Sequence, residues 1–65
     1  MLKTEIRALR LARGMDQAEL AALVGVRRET IGRLEKGQYN PSLKLAMDIA
    51  KVFGCTVEEL FFFED

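Results

Sequence analysis

The feature that most narrows what this chain can fold into is its punctuation. Gly14, Gly25, Gly37 and Gly54 each close a segment whose apolar residues recur at helical spacing. Two segments open on the same signal. Asp16-Gln17-Ala18-Glu19 and Thr56-Val57-Glu58-Glu59 each place an oxygen acceptor three residues before a glutamate, the pattern of a capping box. Five helices follow from these boundaries. The first runs from about Leu2 to Ala12, with Ile6, Leu9 and Arg13 at i, i+3, i+7. The second opens at Asp16, continues through Leu20, Ala21, Leu23 and Val24, and ends at Gly25. The third spans about Arg28 to Lys36, with Ile31 and Leu34 on its inner side. The fourth spans about Leu43 to Phe53, its apolar face formed by Leu45, Ile49 and Phe53 with Leu43, Ala46 and Ala50 beside it. Its cap is either Asn40, with Pro41 at the first helical position, or Ser42. A short fifth helix starts at about Thr56. The expected class is all-α, a single five-helix domain over residues 1–65.

Sixty-five residues allow only one small core, and a chain of this size buries only about 60% of its unfolded surface. With 49% hydrophobic residues it has enough apolar material to fold. It has one cysteine and no histidine, which excludes an internal disulfide and histidine-based catalysis and argues against a zinc site. A reducing cytoplasm is the natural compartment. No apolar run approaches the roughly 20 residues that span a bilayer, and the first residues contain no apolar signal core. The carboxylates fall on helix surfaces or caps, with no nucleophile, base or glycine-rich phosphate loop to combine with them. No enzyme, cofactor, metal or small-molecule ligand is expected. Cys55 reads as a small buried side chain, and Met15 and Met47 as core or half-core filler.

The net charge of zero conceals an asymmetry. Residues 1–36 hold eight Lys/Arg and five Asp/Glu, and residues 37–65 hold two and five, so the halves carry +3 and −3. Such a division suits a protein with one face toward a polyanion and one turned away.

The stretch from Gln17 to Leu34 says which polyanion. Leu20 and Val24 point inward one turn apart, and Ala21 between them stays small where the next helix crosses. Gly25 begins a turn where a residue without Cβ takes positive φ, and Val26 packs into the angle between the helices. Two helices joined so steeply form a helix-turn-helix, at about residues 17–36 here, whose second helix lies in the DNA major groove. The sequence resembles the phage repressor and Cro type of regulators, the xenobiotic-response-element family. The resemblance is carried by Asp16-Gln17-Ala18-Glu19-Leu20-Ala21, Gly25-Val26, Thr30-Ile31, Leu34-Glu35-Lys36-Gly37, Tyr39-Asn40-Pro41-Ser42-Leu43 and Ile49-Ala50-Lys51-Val52-Phe53-Gly54. It covers roughly residues 5–60 and is closest to short stand-alone members.

The resemblance implies a transcriptional regulator, a repressor in the first instance, binding double-stranded DNA. An antitoxin or a protein-interaction adaptor is the competing use of the fold, and an apolar or acidic third helix would favour it. The outward residues are instead Arg27, Arg28, Glu29, Gly32, Arg33 and Lys36. Arg28 is the first choice for base readout, as a planar fork onto guanine O6 and N7. Glu29 either accepts from a cytosine amino group or orients Arg33 four residues on. In the family the residue matching Gln17 contacts a backbone phosphate, with help from amides at that helix N-terminus. Lys36 and Gln38-Tyr39-Asn40 are expected along the backbone, while Arg7 and Arg13 read mainly as solvated surface. The family also implies a partly buried ion pair between Arg10 and Glu35, tying the first helix to the third. Two departures stand out. Arg27 occupies a position where an N-cap Ser or Thr is frequent, and Gly32 lies inside the recognition helix, either as drift or as a place where backbone comes close to DNA.

The run Leu60-Phe61-Phe62-Phe63 is the last feature. Neither a helix nor a strand can turn three successive phenylalanines inward, because neighbours point about 100° apart on a helix and to opposite faces on a strand. The expectation is a homodimer assembled through about residues 60–65, with Leu60, Phe61, Phe62 and Phe63 at the interface and, preferably, tails paired as strands across the two-fold axis.

Overall fold

The computed structural model describes residues 1–64. Five helices are present: α1 (Ile6–Ala12), α2 (Gln17–Val24), α3 (Arg28–Glu35), α4 (Leu43–Phe53) and α5 (Val57–Leu60). Two short strands, β1 (Leu2–Thr4) and β2 (Phe61–Phe63), flank them. The all-α expectation therefore holds for the body of the domain, and a small sheet joins its ends.

The capping signals are realised. The Asp16 carboxylate accepts from the Glu19 amide at 2.8 Å, while the Glu19 carboxylate accepts from the Asp16 amide at 3.2 Å. Thr56 and Glu59 make the same reciprocal pair, at 3.1 and 2.9 Å. Of the two candidates for α4, Ser42 is the cap, accepting from the Leu45 amide at 3.1 Å. Arg27 precedes α3 in extended conformation without a side-chain cap, as its residue type dictates. Gly25 ends α2 at φ 72°, and the Val26 amide then returns to the Ala21 carbonyl at 3.0 Å. That closure sets the sharp angle between α2 and α3.

The core is one cluster. Ile6, Leu20, Ile31, Leu34, Ile49 and Leu60 are its fully buried large side chains, drawn from all five helices. Ala21 is buried between α2 and its neighbours, as the close crossing requires. Met15, Val26, Cys55 and Val57 pack against the cluster while keeping some exposure. Met47, expected as filler, is instead exposed, as are Leu23 and Leu43. Residue 47 lies on α4 two positions from Leu45 and from Ile49, which places it about 160° around the helix from either.

The first helix is shorter than its sequence pattern suggested. Leu2–Thr4 is a strand, antiparallel to β2 with Leu2 opposite Phe63, Lys3 opposite Phe62 and Thr4 opposite Phe61. The Thr4 hydroxyl accepts from the Ile6 amide at 3.0 Å and starts α1. Leu2 lies four residues before Ile6, so its helical spacing was fortuitous. Its burial comes from a partner strand some 60 residues away in the chain.

The tail is a strand, and along one edge it pairs with the start of its own chain. Leu60 cannot be an interface residue, because it is wholly buried in the core. Phe61 is half-buried, and Phe62 and Phe63 are 40% and 77% exposed. Phe63 and Phe61 border an apolar groove with Leu2, Pro41, Leu43, Ala46 and Val57.

Candidate nucleic-acid interface

The interface is built outward from one buried charge. Arg10 on α1 is buried, and its guanidinium forks onto Glu35 at the end of α3: Nε donates to Oε2 at 2.7 Å and Nη2 to Oε1 at 3.1 Å. The two side chains are only 8% and 5% exposed. A third bond runs from Arg10 Nη1 to the Met15 carbonyl at 2.9 Å, so the cation is bound on three sides. The hydrogen bond to Glu35 raises the Arg10 pKa above its ordinary value, against the opposing effect of burial. The expected tie between the first and third helices is thus in place. It anchors α3 at its C-terminal end.

Gln17 extends this network toward the surface. Its Nε2 donates to Glu35 Oε1 at 3.1 Å, and its Oε1 accepts from Arg28 Nη1 at 3.3 Å. One half-buried amide therefore bridges the two ends of α3 from the first residue of α2. Gly32 lies beneath it. A Cβ added there would stand 3.8 Å from Gln17 Nε2 and 3.9 Å from Oε1, in ordinary contact.

The outward face of α3 is exposed and cationic. Arg27, Arg28, Glu29, Arg33 and Lys36 are all exposed, and Arg27, Glu29, Thr30 and Arg33 surround a shallow concavity. Glu29 and Arg33 form no ion pair: among the described residues the side-chain ion pairs are Arg10–Glu35 and Lys44–Asp48. Of the two roles considered for Glu29, orienting Arg33 is the one this arrangement lacks. Gln38, Tyr39 and Asn40 are exposed in the loop after α3. Asn40 also borders the apolar groove, away from the Arg28 end of the helix.

Two structural roles went unread in the sequence. Arg13, expected as solvated surface, donates to the Val52 carbonyl and, at 3.0 Å, to the Phe53 carbonyl, while its guanidinium stands 5.1 Å over the Phe53 ring. It caps the C-terminus of α4, where a cation is favoured. Its place at i+7 from Ile6 was the available signal. Gly37, at φ 71°, directs its missing Cβ at the Leu2 carbonyl oxygen, so β1 rests directly on the end of α3. No group of residues able to hold a metal occurs among the described residues, and no helix there is long and apolar enough to cross a membrane.

A short helix pair, its first helix closed by a capping box and joined by a glycine turn to a cationic second helix on a small helical body, defines a DNA-binding protein of the helix-turn-helix class. The helix-turn-helix family model HTH_3 matches residues 6–60, and the chain belongs to that family. It is 59% identical over 64 residues to an HTH-type transcriptional regulator of Archaeoglobus fulgidus, covering 98% of this chain and 91% of the relative. It is also similar to the cryptic phage CTXphi transcriptional repressor RstR of Vibrio cholerae, at 37% identity over 60 residues, which is 92% of this chain and 54% of RstR. Among solved structures, the restriction-modification controller protein C.AhdI of Aeromonas hydrophila superposes with a TM-score of 0.76 at 36% identity, covering 85% of this chain and 83% of that one. The protein is a DNA-binding regulator of the Cro/C1 type and not an enzyme.

Proposed function

We propose that the protein is a transcriptional repressor that binds a near-palindromic operator as a homodimer, each copy laying α3 in the major groove. The observation that carries this reading is the exposed cationic face of α3, held at both ends by the Arg10–Glu35–Gln17 network. Arg28 at the first turn contacts a base, and unpaired Glu29 is free to accept from a cytosine amino group. The α2 amides and the remaining Nε2 proton of Gln17 face a phosphate. Arg27, Arg33, Lys36, Gln38 and Tyr39 follow the backbone, with Asn40 at the margin. Similarity to a phage transcriptional repressor supports the negative sense of regulation.

Dimerisation is supported by the apolar surface that one copy leaves open. Phe63 and Leu43 are 77% and 72% exposed on the rim of the groove. Burying one such phenyl ring is worth about 1.5–3 kcal/mol, and a two-fold partner doubles it. The sheet adds an open edge. Glu64 donates to the Met1 carbonyl at 3.0 Å, and by the alternation of an antiparallel ladder the Phe63 amide then points to the outer side of β2. The opposite edge is occupied, since the Leu2 carbonyl lies against Gly37. The interface residues are thus Phe61, Phe62 and Phe63, without Leu60. Because β2 belongs to the chain's own sheet, the suitable perturbation is Phe63→Ser rather than removal of the tail.

Selection from random duplex DNA tests the whole reading. A preferred two-fold sequence should emerge, bound with log affinity falling against log salt by about 0.9 per neutralised phosphate. Arg28→Ala should cost about 1–3 kcal/mol and relax one base pair per half-site, and Lys36→Ala should weaken all sequences alike. Phe63→Ser should shift sedimentation to the monomer. Enrichment of no sequence at low salt would end the regulator reading, and a monomeric parent chain at high micromolar concentration would end the dimer.

A further inference from the structure

Gln17 stands between two groups of fixed and opposite hydrogen-bonding character. The Glu35 carboxylate on its inner side, held by Arg10, accepts, and the Arg28 guanidinium on its outer side can only donate. A primary amide satisfies both in one orientation alone: Nε2 inward, at 3.1 Å from Glu35 Oε1, and Oε1 outward, at 3.3 Å from Arg28 Nη1. The amide ends of glutamine are assigned from their partners, and here both partners give the same answer. The inner end of this relay is fully bonded. Both Glu35 oxygens are engaged by Arg10, and Arg10 is itself bound to the Met15 carbonyl at 2.9 Å. Gly32 borders the amide on a third side, where an added Cβ would stand 3.8 Å from Nε2.

We propose that Glu35, which lies beneath the DNA-facing surface, positions Arg28 for base recognition by fixing the polarity of the Gln17 amide. The proposal rests on the reading of Arg28 as a base contact. Glu35 holds Nε2, so Gln17 offers residue 28 an acceptor. An arginine there is held at one nitrogen and keeps its remaining N–H groups for a guanine edge. The 3.3 Å bond on an exposed arginine adds little to stability. Its effect is orientational, because it removes part of the side-chain freedom that a base contact would otherwise have to freeze. Reversal of the amide would point Nε2 at the guanidinium, donor against donor, and release it. The base preference of the exposed helix is therefore set in part by a residue that contacts no DNA.

The test compares two duplexes: the site selected by the full chain, and the same site changed at the base pair whose discrimination Arg28→Ala lowers most. Their affinity ratio is measured for the parent, Gln17→Ala, Glu35→Gln, Arg28→Ala and Gln17→Ala with Arg28→Ala. Gln17→Ala should lower the ratio by about three- to tenfold, the loss of one ordered side chain. Glu35→Gln, which lets the Gln17 amide turn over, should do the same in protein shown to be folded by its melting curve. Gln17→Ala should have no further effect on the ratio once Arg28 is gone. If Gln17→Ala weakens both duplexes equally, Gln17 is a phosphate contact only and the proposal is overturned. A loss of discrimination that persists without Arg28 overturns it too, since Gln17 would then read the base itself. If Arg28→Ala leaves every base preference intact, the readout role of Arg28 fails on its own evidence and takes this proposal with it. A measurement without DNA covers the case in which Glu35→Gln does not fold. In NMR spectra of the free chain, the Gln17 side-chain amide protons should be displaced from those of exposed Gln38, and Arg28→Ala should move them. Coincidence of the two residues in the parent overturns the proposal.

Discussion

Removing the Glu35 carboxylate exposes how much of this domain depends on one ion pair. Glu35→Ala takes two hydrogen bonds from a guanidinium that is only 8% exposed and leaves it the Met15 carbonyl as its remaining partner. It also strips Gln17 Nε2 of its acceptor. Breaking a buried pair from one side typically costs about 3–5 kcal/mol, because the surviving charge stays desolvated. A domain of this length has about 3–10 kcal/mol in all, at about 0.05–0.15 kcal/mol per residue. The single variant should therefore be close to unfolding at room temperature. Arg10→Met in the Glu35→Ala background removes the stranded charge and fills the space with an apolar chain, and should restore well over half of the loss. Urea unfolding of the parent, both single variants and the double variant measures the coupling directly. Because the Arg10 pKa is raised on folding, its contribution is complete below the unfolded value and is lost only as pH climbs through the folded one. The deficit of Glu35→Ala should therefore be unchanged from neutral to mildly alkaline pH. Additive losses in the cycle would refute the reasoning, since they would mean that the two groups do not sense each other.

Three further substitutions probe contacts the structure revealed. Gly37→Ala imposes a Cβ on a left-handed backbone and drives it into the Leu2 carbonyl, so it should cost more than the roughly 1–2 kcal/mol of the conformation alone and should speed amide exchange in β1. Arg13→Ala removes both bonds to the end of α4 and the contact over Phe53, and should lower stability by about 1 kcal/mol in urea melts, where a solvated arginine would show no change. Gly32→Ala meets only ordinary contacts at Gln17 and should raise the melting temperature, by up to about 1 kcal/mol of helix propensity. A fall in stability there would mean that the amide of Gln17 needs closer backbone than a methyl group permits.

Most of the helical body was legible because its signals are local. Capping boxes at Asp16 and Thr56 and helix ends at Gly25, Gly37 and Gly54 depend on neighbours within one turn of chain. The core faces of α3 and α4 follow from a spacing of three and four. The choice between Asn40 and Ser42 was not legible, since both residues can cap and the path of the loop decides. The exposure of Met47 was not legible either, because chain spacing ranks positions on a helix but does not say how wide an arc its neighbours cover.

By itself, then, the sequence determined the five helices, the steep turn at Gly25 and the cationic residues that α3 carries outward. Each of these rests on the conformational preferences of a few adjacent residues and on the 3.6-residue repeat. The tertiary structure alone decided where Leu2 and the phenylalanines go. A three-residue strand has no stability until a partner supplies its hydrogen bonds, and the partner of Leu2–Thr4 lies at the far end of the chain. Tertiary structure likewise decided what Gln17 does. Its residue type allows a donor or an acceptor toward residue 28, and only the packing of α1 and α3 brings Glu35 and Arg28 to opposite ends of one amide. Arg13 follows the same rule. Spacing placed it on α1, but its bonds to Val52 and Phe53 exist because folding brings the end of α4 within reach of its guanidinium.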